Sequence, residues 1–178
     1  LHVRSRRQRQ MCIRDSSENV NVAVVLSNNR NVGVHGRVNK LGVPSFVFSR
    51  EEFIAGVPIL KKLAEYDVCL IVLAGFMNKI SDVILQAFPG KIVNIHPALL
   101  PKYGGKGMYG MHVHEAVVKA GERESGITIH YINEHYDEGA IIFQASCPVL
   151  PSDTPDEVAA KVHALEYAHY PHVIESLL

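Results

Sequence analysis

This sequence predicts an α/β domain built on a doubly wound, mostly parallel sheet with an antiparallel edge. Three observations predict it. Strand-sized, β-branched runs alternate with helical segments from residue 20 to residue 120. Residues 68–74 (VCLIVLA) form a continuous apolar run, the kind that a parallel sheet buries on both faces. Residues 126–132 and 140–149 face each other across a tight acidic connection, which reads as an antiparallel hairpin.

The elements follow in order. Residues 20–27 (VNVAVVLS) are a β-branched strand closed by Asn28 and Asn29. Residues 30–42 are a weak, Gly-interrupted helix, and 44–48 a short strand. Ser49 caps a helix whose first turn holds Glu51 and Glu52; it runs to about Tyr66 and is expected to kink or break at Pro58. After the strand at 68–74, a helix over 81–87 stops before Gly90, and 91–95 is the next strand, running directly into His96 and Pro97. Residues 101–110 (PKYGGKGMYG) form a Gly-rich loop, and 111–120 a helix stopped by Gly121. In 126–132, Ile127, Ile129 and Tyr131 alternate with Thr128, His130 and Ile132. Thr154 caps a closing helix that begins Pro155-Asp156-Glu157 and is expected to end near Tyr167, with a second helix after Pro171.

No repeat or linker divides the chain, so residues 17–178 read as one catalytic domain. Residues 1–16 (LHVRSRRQRQMCIRDS) read as a non-native tail, because they carry neither period nor core face; MCIRDS is what an in-frame translation of a transposase adapter end would give. The tail hides a charge asymmetry. It holds five of the 18 basic residues and one of the 18 acidic ones, which leaves 13 against 17 in the body. A mildly acidic body argues against a nucleic-acid-binding face. No apolar run approaches the ~18 residues of a membrane span. Cys12, Cys69 and Cys147 are far apart, odd in number and without metal spacing, which predicts a reducing, cytoplasmic setting.

Ligands of open α/β sheets bind beyond the carboxyl ends of the strands. Asn94 and His96 stand at such an end, two residues apart and so on one side of the chain. Taken alone, N-x-H-P reads first as a turn asparagine and a structural histidine, and Asp137 as a turn carboxylate ahead of Gly139. His112 and His114 form H-x-H, which on a helix does not place both on one face, and no ligand-spaced partner accompanies them; no metal is expected. Lys102 and Lys106 read as solvated loop charges.

Three strings occurring in order change this balance: VLAGFM, NIHPALLPKY and HYINEHYDEGAII. Together they resemble the formyltransferase superfamily that uses 10-formyltetrahydrofolate. The branch acting on phosphoribosylglycinamide in purine biosynthesis is the nearer match. The resemblance covers residues from about 20 to 178 and is most specific around 91–110 and 124–151. It implies a Rossmann-like sheet, formyl folate as co-substrate, small-molecule partners only, and transfer of the formyl group to the glycinamide amine. It assigns Asn94 to oxyanion stabilisation, His96 to general acid work and Asp137 to orienting His96 and raising its pKa. It also implies folate contacts at Arg50, Asn94 and the 77–80 segment (Met77, Asn78, Lys79, Ile80), where the family commonly has Arg-Ile-Leu over 78–80. A further wall of the folate pocket falls at 133–139, and a ribonucleotide contact at Glu166.

The family opens with a strand and a Gly-rich phosphate turn that nothing in this chain matches. The resemblance therefore implies that the first strand is missing, and that this chain folds poorly and transfers little. Formyltetrahydrofolate deformylase and methionyl-tRNA formyltransferase would share Asn94, His96 and Asp137. The KYGGKGMYG loop, Glu166 and the short C-terminal end favour the ribonucleotide branch. A non-catalytic nucleotide-binding module is the alternative from outside the superfamily.

Overall fold

Short β-branched segments lie at the centre of the fold. The computed structural model describes residues 20–29, 33–76 and 78–178. The tail at 1–16 and Met77 lie outside the described residues. Strand β1 (Val25–Ser27) pairs in parallel with β2 (Ser45–Val47). A second sheet runs in the order β3 (Ile71–Leu73), β4 (Ile92–His96), β5 (Glu124–Tyr131) and β6 (Ile141–Pro148). The pair β3–β4 is parallel, whereas β4, β5 and β6 form an antiparallel meander. The helices are α1 (Val34–Lys40), α2 (Arg50–Ala55), α3 (Val57–Glu65), α4 (Asp82–Ala87), α5 (Met111–Lys119) and α6 (Pro155–Glu175).

Strand β4 shows that the sheet is covered on both sides. Ile92 packs with Ile59 and Leu63 of α3 and Ile84 of α4. Ile95, on the opposite face, packs with Val117 of α5 and Val158, Val162, Tyr170 and Ile174 of α6. Each such side chain contributes about 1.5–3 kcal/mol when fully buried. Tyr170 ties the layers together: its hydroxyl donates to the Leu73 carbonyl of β3 at 2.9 Å.

Several elements differ from their sequence reading, each for a tertiary reason. The first strand shortens to Val25–Ser27 because its partner β2 is itself only three residues long. The apolar run at 68–74 predicts burial on both faces. Only Ile71–Leu73 form strand, all three half-buried, and Cys69 is exposed. The cause is position: among the described residues β3 pairs with β4 alone, so it stands at an edge. The expected break at Pro58 falls two residues earlier, at Gly56. Its φ of +75° separates α2 from α3 and leaves Pro58 in the first turn of α3, where a missing N–H costs nothing. The expected break near Pro171 does not occur. Helix α6 runs unbroken to Glu175 with Pro171 inside, and Tyr170, Pro171 and Ile174 are all buried. Their burial outweighs the one backbone hydrogen bond that proline removes. Capping boxes start α2 at Ser49/Glu52 and α6 at Thr154/Glu157.

Candidate active site

The site begins at the carboxyl end of β4. The pleat sends Ile92, Asn94 and His96 to one side. Register does the rest: in the antiparallel pairing Asn94 lies opposite His130, and His96 opposite Thr128. Two polar residues of β4 thus meet two of β5 on a single face. All of β5 from Ser125 to His130 is buried, and Thr128 and His130 are 0% exposed. Both sides of the alternating strand are therefore interior. Ile127 and Ile129 fill the α6 side, while Thr128 and His130 support the site.

Asp137 completes the group from the β5–β6 connection, on a backbone with φ +58°, a conformation uncommon for a residue other than glycine. One carboxylate oxygen (Oδ2) lies 3.6 Å from His96 Nδ1, and the other (Oδ1) 3.7 Å from His130 Nε2. His130 Nδ1 donates to the Tyr131 carbonyl at 2.9 Å, which leaves Nε2 as a lone pair. Asn94 Nδ2 donates to that lone pair at 3.3 Å. One amide hydrogen of Asn94 is thereby held by His130, and the second is free to face a ligand. Asp137 also accepts from the Gly105 amide at 2.9 Å, and His96 Nε2 donates to the Tyr103 carbonyl at 2.7 Å.

The strand end itself is braced from below. The Thr128 hydroxyl accepts from the Leu100 amide at 3.0 Å and donates to the Ala98 carbonyl at 2.7 Å. Gln144 of β6 donates to the Leu100 carbonyl and the Thr128 hydroxyl at 3.0 and 2.9 Å. The turn that follows His96 is thus bolted to both strands of the hairpin.

Electrostatics correct one expectation. Asp137 does pull the His96 pKa upward, as does the Tyr103 carbonyl, but burial is the larger effect and the net direction is downward. His130 moves the same way, with burial again first and the Tyr131 carbonyl and Asp137 opposing it. Desolvation penalises the charged imidazole more than a carboxylate beyond hydrogen-bonding distance favours it.

These groups open onto a cavity of about 400 Å³. Asn78, Lys79 and Ile80 line it, as do residues of the 133–137 turn, and Glu166 reaches it from α6. Arg50 is not among the lining residues; it opens α2 behind the Ser49 cap. Lys102 pairs with Glu122 at 2.9 Å, whereas Lys106 lies along the cavity. His112 and His114 part company as the helical period requires. His112 is exposed beside Glu115, while His114 is buried and faces the cavity with His163 and Glu166. The residues that the sequence alone did not single out are His130, Tyr103 and His163, and His114 was weighed only as a metal ligand. The signal for His130 was its place in phase with Thr128; what it supports is set by the β4–β5 register.

The family described as formyl transferase matches residues 5–174. The chain belongs to that formyl transferase family. The match begins within residues 1–16, the segment that by sequence reads as a non-native tail. Among curated relatives, the chain is 38% identical over 168 residues to phosphoribosylglycinamide formyltransferase, chloroplastic, of Arabidopsis thaliana, covering 92% of this chain and 58% of that protein. It is 38% identical to phosphoribosylglycinamide formyltransferase of Haemophilus influenzae, covering 86% of this chain and 72% of that one. The chain spans little more than half the length of the two plant relatives, 58% and 51%. Among solved structures, glycinamide ribonucleotide transformylase 1 of Geobacillus kaustophilus superposes with a TM-score of 0.88 at 30% identity, over 99% of this chain and 94% of that one. The phosphoribosylglycinamide formyltransferase of Streptococcus pneumoniae gives 0.84 at 33%, over 99% and 93%.

Proposed function

We propose that this chain transfers the formyl group of 10-formyltetrahydrofolate to the amine of 5-phosphoribosylglycinamide, the acceptor step of purine synthesis that its relatives' names describe. The observation that carries the proposal is the convergence of Asn94, His96 and Asp137 at one mouth of the cavity, with His96 Nδ1 3.6 Å from the carboxylate. Formyl transfer needs a donor to the carbonyl oxygen as the amine attacks, a proton for the departing folate nitrogen, and a counter-charge for the group that supplies it. Asn94 has one amide hydrogen left for the developing oxyanion. A preorganised donor of that kind is worth roughly 10²–10³ in rate. His96 supplies the proton from its charged form. Asp137 balances the imidazolium.

The folate side of the cavity falls to Asn78, Lys79, Ile80 and the 133–137 turn, with Met77 and Arg50 as further folate contacts carried by the resemblance alone. Backbone groups over 78–80 make contacts that survive the departure from Arg-Ile-Leu. Glu166 and its histidine neighbours line the part of the cavity assigned to the ribonucleotide. The partners are small molecules. No helix among the described residues is long and apolar enough to cross a membrane, and a cytoplasmic site of action remains part of this reading, although the plant relatives are named chloroplastic. The domain proper is taken as 17–178.

The test has two arms on the full chain. Binding of a non-hydrolysable 10-formyl folate analogue by calorimetry reads the pocket, and formyl transfer to phosphoribosylglycinamide or to water reads the chemistry. Analogue binding by wild type, with transfer lost in H96A and D137N, is expected. Transfer to water alone would redirect the assignment to a deformylase. Equal turnover in wild type and both variants would sink the roles assigned to His96 and Asp137.

A further inference from the structure

The two ring nitrogens of His96 have different neighbours, and one of those neighbours fixes the tautomer. Nε2 lies 2.7 Å from the Tyr103 carbonyl oxygen. A carbonyl only accepts, so Nε2 carries a hydrogen whether the ring is neutral or charged. The nitrogen that gains and loses a proton is then Nδ1, which faces Asp137 Oδ2 at 3.6 Å. That separation exceeds a hydrogen bond, as a lone pair opposite a carboxylate requires. Protonation at Nδ1 places the acidic N–H on the Asp137 side of the ring, where the carboxylate balances its charge at 3.6 Å and both groups line the cavity into which the proton can leave.

What holds the Tyr103 carbonyl in place is unusual. The residue sits at φ +55°, a left-handed conformation that bulky side chains rarely adopt. Gly104 follows, and a Cβ there would lie 2.6 Å from Leu100 Cδ2 and 3.3 Å from Asp137 Cβ. Gly105 then donates its amide to Asp137 at 2.9 Å. Residues 103–105 therefore lie across the His96–Asp137 pair and touch both members. At the far end of the side chain, the Tyr103 hydroxyl donates to Glu122 Oε1 at 2.9 Å, just beyond the end of α5. Lys102 Nζ reaches the same oxygen at 2.9 Å from a position 68% exposed, where an ion pair contributes little. The phenol is the half-buried contact of the two. Asp137 and His130 are the titratable side chains whose charges act on the ring.

We propose that Tyr103 is a positioning residue for His96: anchored through its hydroxyl to Glu122, it presents its backbone carbonyl to Nε2 and so fixes Nδ1, beside Asp137, as the titrating nitrogen. The catalytic meaning of this arrangement rests on the formyl-transfer reading; the tautomer does not. The experiment uses the full chain labelled with ¹⁵N-histidine. Two-bond ¹⁵N–¹H spectra are expected to show neutral His96 as the Nε2–H tautomer. Y103F and E122A are expected to move it toward a tautomer mixture. E122Q, which keeps an acceptor for the phenol, and K102A are expected to resemble wild type. In the transfer assay, Y103F and E122A each lower kcat about tenfold at unchanged KM and displace the acid limb of the pH profile, and the double variant is no worse than either single one. An Nδ1–H tautomer in wild type, or Y103F with wild-type spectra, overturns the proposal. Should E122A not fold, Y103F removes a single oxygen and still decides the matter. If wild type binds the folate analogue yet transfers no formyl group to phosphoribosylglycinamide or to water while the tautomer pattern holds, the reaction assignment fails and the positioning role stands.

Discussion

Three side chains carry the proposed chemistry, and each depends on a neighbour that disciplines it. His130 takes one amide hydrogen of Asn94, which leaves the other for the developing oxyanion. Replacing Asn94 with alanine is expected to lower kcat by about 10²–10³ in the formyl-transfer assay, the usual cost of losing an oxyanion donor. Replacing His130 with alanine frees the carboxamide to rotate and leaves Asp137 without one of its two histidines, so a smaller loss in kcat with little change in KM is expected. Protonation adds a stability signature. His96 and His130 both have pKa values pushed below the ordinary 6.5, chiefly by burial. A histidine depressed in the folded state binds fewer protons there than in the unfolded chain. Its contribution is complete above the unfolded value and is lost as pH falls through the folded one. Urea unfolding at about pH 7.5 and about pH 5.5 is expected to give a lower midpoint at the acid condition, and H130Q is expected to narrow the gap.

At the scale of elements, the decisive piece is the β5–β6 hairpin, since it contributes Thr128, His130, Asp137 and Gln144 together. Its closure has no spare room. A Cβ on Gly139 would lie 1.7 Å from the Tyr131 carbonyl oxygen, on the residue whose amide donates to the Ala140 carbonyl at 2.9 Å and closes the turn. Glycine is needed there because the backbones touch. G139A is expected to cost at least about 1–3 kcal/mol of stability, as overpacking does, and to abolish binding of the folate analogue because Asp137 and the 133–137 wall move with the turn. A drop in Tm with analogue affinity intact would contradict this. The capping box that starts α6 makes a gentler prediction: T154A loses the acceptor for the Glu157 amide and is expected to cost about 1 kcal/mol, read as a shift in denaturant midpoint. The strings around these elements were readable in the sequence, but that their polar residues share one face was not, because a one-residue slip of register sends every side chain to the other side.

At the scale of the molecule, α6 joins regions distant in sequence. It supplies Glu166 to the cavity, packs Val158, Val162 and Ile174 against β4 and β5, and reaches β3 through the Tyr170 hydroxyl. Y170F removes that donor and is expected to cost about 1 kcal/mol, the net worth of a typical hydrogen bond, without altering kcat. The same helix shows how the global fold overrides local preference. Proline at 171 predicts an ending, yet burial on both sides of it carries the helix through to Glu175. Position also overrides composition at β3, where an apolar run suited to a sheet interior stands at an edge among the described residues.

Local chemistry let the sequence determine a good deal unaided. The strand–helix alternation, the helix caps at Ser49 and Thr154, the end of β4 at His96-Pro97, the late hairpin and the Asn94, His96 and Asp137 set all follow from residue type, short-range spacing and the strings that carry the family resemblance. The tertiary structure alone decided what stands between those residues. It brought His130 under Asn94, laid 103–105 across the His96–Asp137 pair, moved His114 and His163 to the cavity wall, left Arg50 outside it, and turned the expected rise in the His96 pKa into a fall. Each of these depends on register, burial or a loop's path through space. Those are properties of which segments meet, and a single chain read in order does not contain them in its local pattern.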